Sequence, residues 1–149
     1  MERSRAATLR FLERLPERAV LEPHTQGKWS LKDTFAHIVA WEEEAVRRLA
    51  LIECGRGDRI HFYNDMREAD RFNARAVRRA RPWSWKALLG RAARVRRRLI
   101  TALLQVPPAE LHNPSHRYPV TVWLPEFAWT HEQGHLARIR AWRRKNRRR

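Results

Sequence analysis

Residues 28–42, KWSLKDTFAHIVAWE, carry the strongest local evidence for the fold of this 149-residue chain. Ser30 is a favoured N-cap residue, and Asp33, three positions later, completes the pattern of a capping box. From there apolar residues recur at helical spacing as far as Ile52, and Gly55 follows. The stretch therefore predicts a long amphipathic helix that begins after Ser30 and ends before Gly55.

Three further apolar-periodic stretches predict helices on either side of this one. The first covers about residues 4–15, and the last covers about residues 122–142. Between them a third helical region runs from near Asn64 to residue 106, but Pro82 interrupts it and Ser84 can cap a restart. This third helix is therefore either broken or kinked. No convincing pair of strands occurs, so we expect an all-α bundle of four main helices.

Length and composition set the class of protein. The chain has the usual size of one domain, which we expect to cover residues 1–143, followed by a basic tail at 144–149. Cys54 is the single cysteine, which excludes an internal disulfide framework and a multi-cysteine zinc site. No apolar run approaches the length of a membrane span or of a signal peptide. The sequence therefore predicts a cytoplasmic protein that does not cross a membrane.

The charge is unusually positive, with 32 Lys and Arg against 16 Asp and Glu. One explanation is binding to nucleic acid, and Arg91, Arg94 and Arg98 share a helical face that could follow phosphates. The other is a GC-rich genome, whose codons favour arginine on a solvated surface. Aromatic platforms do not alternate with this run, and no DNA-reading motif occurs. Binding to nucleic acid therefore remains an alternative that the sequence does not favour.

The sharpest chemical motif is His131-Glu132-Gln133-Gly134-His135. The spacing places two imidazoles on one helical face, where both can bind one metal ion. Ile139 and Trp142 lie near the same face, so both rings are expected to point into the bundle. The ring nitrogens of two buried histidines need polar partners, which a metal or a carboxylate can supply. The pair therefore favours a metal site.

A zinc protease fits poorly, although the motif has its HExxH pattern. In that class the third ligand lies downstream, and residues 136–149 contain no His, Asp or Glu. A third ligand must then come from upstream, and the helix after Ser30 offers His37. The alternative for His37 is a partly exposed helix histidine without a ligand role. Three neutral imidazoles would leave an open coordination position, as catalytic metal sites do.

Several segments together resemble the DinB-like family. They are residues 28–42, the His131/His135 pair, the segment 71–77 (RFNARAV) and the exit of the third helix at 103–111. The resemblance covers nearly the whole chain, and the order of one histidine on the second helix and a pair on the fourth is fairly specific.

The resemblance implies a four-helix bundle with up-down-down-up topology, often a homodimer. It also implies a divalent metal, typically zinc, nickel or iron, held by His37, His131 and His135. The family includes mycothiol-dependent maleylpyruvate isomerase and bacillithiol-type thiol transferases, besides many members without known activity. We therefore expect a metal that activates a thiol or water for transfer or hydrolysis on a small molecule. The alternative is a non-catalytic binding or stress-related protein.

Other residues complete the predicted site. Trp41, one turn from His37, and Asn73 are the candidates for cofactor binding, and Asp70 could also face the site. Glu132 is either a base or a partner of the metal ligands, or else a surface glutamate paired with an arginine.

Two further residues are unusual for their helical positions. Glu42 falls within the apolar stripe of the second helix, which predicts a structural ion pair with an arginine of the third helix. Gly134 is costly inside a helix and could make room beside the ligands.

Overall fold

The computed structural model describes residues 2–63 and 65–146. Within them eight α-helices form, and they are α1 (Glu2–Glu13), α2 (Glu17–Leu21), α3 (Leu31–Glu53), α4 (Met66–Ala80), α5 (Trp85–Gln105), α6 (Pro108–Leu111), α7 (Val120–Phe127) and α8 (Trp129–Asn146). A short 3-10 turn covers Gly57–Arg59. The described part of the chain contains no strand, only an isolated bridge between Gln26 and Trp29. The all-α class is therefore confirmed, while the order of helix directions stays a prediction.

The predicted second helix is α3, and its start agrees with the capping box. The Ser30 hydroxyl accepts a hydrogen bond from the Asp33 backbone N–H at 3.1 Å, and the Asp33 carboxylate accepts one from the Ser30 N–H at 3.1 Å. Gly55 follows the C-terminus with a φ of 67°, a left-handed conformation that suits glycine. α3 packs against α2, α4, α5, α7 and α8, so it forms the centre of the bundle.

The third predicted helix is broken rather than kinked. α4 ends at Ala80 and α5 begins at Trp85, with Pro82 between them, which cannot donate a helical hydrogen bond. The Ser84 hydroxyl caps the restart by accepting from the Ala87 N–H at 3.1 Å. The predicted start near Asn64 falls on a residue outside the described part of the chain.

The prediction of one continuous last helix is wrong. α7 ends at Phe127, and Ala128 leaves the helical conformation with φ −121° and ψ −101° before α8 begins. Pro125, inside α7, lacks the N–H that would bond to the preceding turn, so the helix is already weakened there. α8 also runs farther than expected, because residues 144–146 of the predicted tail are helical. Residues 147–149 lie outside the described residues.

The core has two apolar clusters. One packs α1, α2, the first half of α3, the start of α5 and α8, and its fully buried side chains include Leu12, Leu31, Phe35, Leu88 and Ile139. The other packs the second half of α3, the end of α5 and α7, and includes Leu49, Leu99 and Val120. The short helix α2, which the sequence pattern did not indicate, contributes the fully buried Val20.

No helix in the described residues has the length and apolar character needed to cross a bilayer.

Candidate metal centre

Three imidazoles from two helices meet at one point. The Nε2 atom of His131 lies 2.9 Å from the Nε2 atom of His37 and 2.9 Å from the Nε2 atom of His135. One ring nitrogen from each histidine lies within 4.8 Å of the other two. The predicted convergence of His37 with the HExxH pair is therefore confirmed.

The local fold explains this convergence. His131 and His135 are four residues apart in α8, so they lie on the same face of that helix. His37 lies in the second turn of α3 and faces α8 across the bundle. His37 and His135 are buried, and His131 is half-buried. Rigid helices rather than loops thus carry all three rings.

The spacing of the nitrogens fits a shared cation. Two nitrogens bound to one ion at about 2.0–2.1 Å lie roughly 2.9–3.4 Å apart for angles between 90° and 109°. Hydrogen bonding alone fits less well, because a proton on the Nε2 atom of His131 can point at only one of its two neighbours. The three histidines therefore form a group that could hold a divalent metal.

The environment keeps these rings neutral. Burial lowers the pKa of His37 to about 4, helped by the charge of His135 and opposed by a hydrogen bond to Asn73. Burial, together with the charges of His37, His135 and Arg138, lowers the pKa of His131 to about 3. The pKa of His135 falls to about 4 through burial and the charge of Arg138. At neutral pH the metal-free cluster therefore presents uncharged imidazoles, the form that binds metals.

Gln26 orients one of the three histidines. The Nδ1 atom of His135 lies 2.9 Å from the Gln26 side-chain oxygen, so Nδ1 carries the proton and leaves Nε2 free to bind. Reciprocal backbone hydrogen bonds of 3.1 Å between Gln26 and Trp29 fix this loop. The sequence pattern did not indicate Gln26, because the segment between α2 and α3 has no periodicity.

Aromatic rings lie next to the histidine cluster. The ring centroid of Trp41 lies 6.3 Å from that of His37 and 6.4 Å from that of His131. The ring centroid of Trp29 lies 5.0 Å from that of His37, and the ring centroid of Phe127 lies 4.6 Å from that of Trp41. The histidine cluster thus lies beside an apolar wall, with Arg138 as a nearby charge that acts on His131 and His135.

The two residues predicted to bind a cofactor are partners of each other. The Trp41 indole N–H donates to the Asn73 side-chain oxygen at 2.9 Å, which ties α3 to α4 beside the histidines. Both side chains are half-buried, so part of each is accessible. Asp70, on the same helix as Asn73, is exposed. The cofactor role of Trp41 and Asn73 stays a prediction.

Glu132 is not a surface residue. Its side chain is 0% exposed, and its carboxylate accepts a hydrogen bond from the Arg96 guanidinium at 2.6 Å. Glu42, also 0% exposed, pairs with Arg96 and Arg5, so the predicted ion pair with an arginine of the third helix is present. The Glu132 carboxylate pairs with the same two arginines. Its role as a base stays a prediction.

In the row of Arg91, Arg94 and Arg98, which could follow phosphates, one member already has protein partners. Arg91 donates to Glu43 at 2.5 Å and stacks on Trp83 with 4.7 Å between the guanidinium carbon and the ring centroid. Arg94 and Arg98 are exposed beside a groove between α3 and α5. The positive face therefore keeps only part of the predicted row free for an anion.

The comparison with known families agrees with these observations. A search of the curated proteins found no match, and a search of the solved structures found none either. The family model of the DinB superfamily matches residues 1–139, a range that includes His37, His131 and His135. With a helical fold, a histidine cluster built from α3 and α8 and a match over most of its length, the chain belongs to the DinB superfamily.

Proposed function

We propose that the protein is a metal-dependent enzyme in which His37, His131 and His135 hold one divalent cation, with zinc, nickel or iron as candidates. The enzyme would activate a thiol or a water molecule for transfer or hydrolysis on a small molecule. The observation that carries the proposal is the position of the neutral His131 Nε2 atom, which lies 2.9 Å from the Nε2 atoms of both His37 and His135. Family membership supports the proposal, because the match includes all three ligands.

Three protein ligands are the pattern of catalytic rather than structural sites, since they leave a coordination position for a reactant. A divalent cation held there supplies Lewis acidity, which makes a thiol or water nucleophilic at neutral pH. Gln26 holds His135 in the tautomer that ligates. Trp29 and Trp41 lie against His37, where they would limit the access of bulk water to its ring. Trp41 and Asn73 are our candidates for contact with a small thiol.

We also propose that the protein is a cytoplasmic homodimer. The support for a dimer is the frequency of dimers among proteins that this chain resembles. The support for the cytoplasm is the exposed free thiol of Cys54, which suits a reducing compartment. Sedimentation of the untagged protein tests the dimer, and a monomer at micromolar concentration would contradict it.

Elemental analysis tests the metal site directly. Untagged wild-type protein is expected to contain about one divalent metal per chain, and His37→Ala, His131→Ala and His135→Ala are expected to lose it. His112→Ala is the matched control, because His112 is exposed and lies outside the cluster. Unchanged metal content in His37→Ala would remove that residue as a ligand. Wild-type protein that stays free of metal after incubation with zinc, nickel and iron would refute the proposal.

Turnover needs its own assay. The metal-loaded protein is incubated with low-molecular-weight thiols and electrophilic acceptors, and consumption of the free thiol is followed. Activity that disappears with a chelator and returns with metal supports transfer. Hydrolysis of ester and amide substrates under the same conditions supports the water-dependent reaction.

The alternative function is binding without catalysis, including binding to nucleic acid. The observation in its favour is the net charge of +16, with exposed Arg94, Arg97 and Arg98 along the groove between α3 and α5. DNA affinity that falls steeply with salt and does not respond to a chelator would favour this alternative. Loss of that affinity in Arg94→Gln/Arg98→Gln would place the contact on this face.

A further inference from the structure

We propose that two buried arginines, Arg5 and Arg96, set the spacing of the two helices that carry the metal ligands. They act through Glu42 on α3 and Glu132 on α8, so all four are positioning residues for the metal centre. The inference rests on the proposed function, because it assumes that the histidine cluster binds a metal.

Each arginine contacts both helices through the same two oxygen atoms. Arg96, from α5, donates from Nη2 to the Glu132 Oε2 atom at 2.6 Å and to the Glu42 Oε1 atom. Arg5, from α1, lies with Nη2 2.5 Å from the Glu42 Oε1 atom and 3.2 Å from the Glu132 Oε2 atom. Two guanidinium groups therefore bridge α3 to α8 side by side.

The four charged residues lie next to the metal ligands along both helices. Glu132 follows His131 directly and precedes His135 by about one turn. Glu42 lies five residues after His37, immediately after Trp41. Because helices are rigid over such short distances, the separation of the two carboxylates and the separation of the ligands change together. A shift of α8 against α3 would alter both.

Because the four charged residues are buried and balanced in charge, the energy of their pairing depends strongly on their geometry. The exposed fractions of Arg5 and Arg96 are 3% and 2%, and those of Glu42 and Glu132 are 0%. Two positive and two negative groups balance each other in charge, and loss of any one of them would leave an uncompensated charge in the interior. An apolar set of similar volume is often as stable, so stability alone does not account for this arrangement. A fixed spacing between ligand-bearing helices does account for it.

Arginine is the residue type that this task requires. Its planar guanidinium can donate to two carboxylates in fixed directions, whereas a lysine ammonium is a point charge on a flexible stem. Arg96→Lys therefore keeps the charge balance but removes the fixed bridge. The variant separates positioning from simple neutralisation of the two carboxylates.

Arg48 provides a matched control. It is also buried, with 1% of its surface exposed, and it pairs with Glu44 at 2.9 Å and with the His61 carbonyl at 2.8 Å. Its ring contacts include Phe62 at 4.6 Å and Phe127 at 4.4 Å. None of these partners lies on α8, so Arg48→Lys makes the same chemical change without touching the link between α3 and α8.

The test measures metal affinity and stability separately. Full-length wild type, Arg96→Lys, Arg48→Lys and Glu132→Gln are stripped with a chelator. Urea unfolding then gives stability without metal, and competition with a chromophoric chelator gives the Kd for Zn²⁺. The visible spectrum of the Co²⁺ form reports ligand geometry. Arg96→Lys is expected to weaken the Kd roughly 10–100-fold and to change the Co²⁺ spectrum. Arg48→Lys is expected to lose stability with an unchanged Kd and spectrum.

The outcomes separate this inference from the proposed function. Wild-type protein that binds neither Zn²⁺ nor Co²⁺ refutes both. Wild-type binding that is matched by Arg96→Lys, with the same spectrum, overturns only the positioning role. The same holds if Arg48→Lys weakens the Kd as much as Arg96→Lys does.

Glu132→Gln keeps the test decisive if Arg96→Lys fails to fold. It preserves the shape of the side chain but weakens the contact with both arginines, so its Kd is also expected to rise. An unchanged Kd in a folded Glu132→Gln protein overturns the inference. An unchanged Kd combined with lost turnover also overturns it, and supports instead the base role that the sequence suggested for Glu132.

Discussion

The Nδ1 atom of His135 lies 2.9 Å from the side-chain oxygen of Gln26, 109 positions earlier in the chain. The loop before α3 thus reaches across to a ligand on α8. In metal sites, a hydrogen bond to the ring nitrogen that does not bind the metal fixes the tautomer and the orientation of the histidine. Gln26 is therefore expected to affect metal binding although it binds no metal itself.

Gln26→Leu is expected to weaken the Kd for Zn²⁺ roughly tenfold, because His135 loses the acceptor that holds its ring. Gln26→Glu keeps an acceptor at the same place and should bind at least as tightly as wild type. Chelator competition measures both, and Lys28→Leu in the same loop is the control. Equal affinities for Gln26→Leu and wild type would show that the contact does not orient the ligand.

The metal-free protein is expected to lose stability as the pH falls from 7 towards 4. Burial holds the pKa values of His37 and His135 at about 4 and that of His131 at about 3, whereas an unfolded histidine titrates near 6.5. Below about pH 6.5 the histidines therefore bind protons in the unfolded chain but not in the folded chain, and the free energy of unfolding decreases.

Urea unfolding in a chelator at about pH 7.5, 6.0 and 5.0 measures this effect across the window between the unfolded and folded pKa values. His131→Phe removes one of the titrating groups and should show a shallower dependence on pH than wild type. If both proteins lost stability in parallel over this range, the buried histidines would not be the cause.

Asn73→Ala is expected to lower the free energy of unfolding by about 1 kcal/mol, because the Trp41 indole N–H loses its acceptor. The same variant should bind low-molecular-weight thiols more weakly when the protein is loaded with metal. Calorimetric titration with the thiol measures this, and Arg75→Ala, exposed on the same helix, is the control. Unchanged thiol affinity would remove Asn73 from the cofactor site.

Gly134→Ala tests whether the glycine between the ligands makes room for something. Within 4 Å of a Cβ added at residue 134, the described residues offer only the Nη2 atom of Arg138, at 3.8 Å. This distance is an ordinary van der Waals contact. Because alanine favours helix more than glycine does, we expect a gain of about 0.5–1 kcal/mol in stability. Metal affinity should not change. Lost turnover with metal retained would mean that a substrate uses the space, whereas lost stability would contradict the open geometry.

The sequence predicted the parts of the site that follow local rules. The capping box at Ser30 and Asp33 indicated the start of α3, and the four-residue spacing of His131 and His135 indicated their shared face. These features depend on residues close together in the chain. The third candidate ligand, His37, followed from the lack of a downstream donor together with the family resemblance.

Long-range contacts were beyond the sequence pattern. Gln26 lies in an aperiodic loop, and nothing local marks it as a partner of His135. Arg5 and Arg96 look like the many surface arginines of this chain, and only tertiary packing shows that they are buried. The break at Ala128 was missed because the apolar spacing continues through Pro125 into α8.

The position of Arg5 in α1 connects the amino-terminal helix to the electrostatics of the interior. A version of the protein trimmed before α2 would lose one of the two guanidinium groups that pair with Glu42 and Glu132, together with part of the cover over these carboxylates. Deletions at this end are therefore expected to disturb the interior of the bundle beside the histidines, and not only its surface.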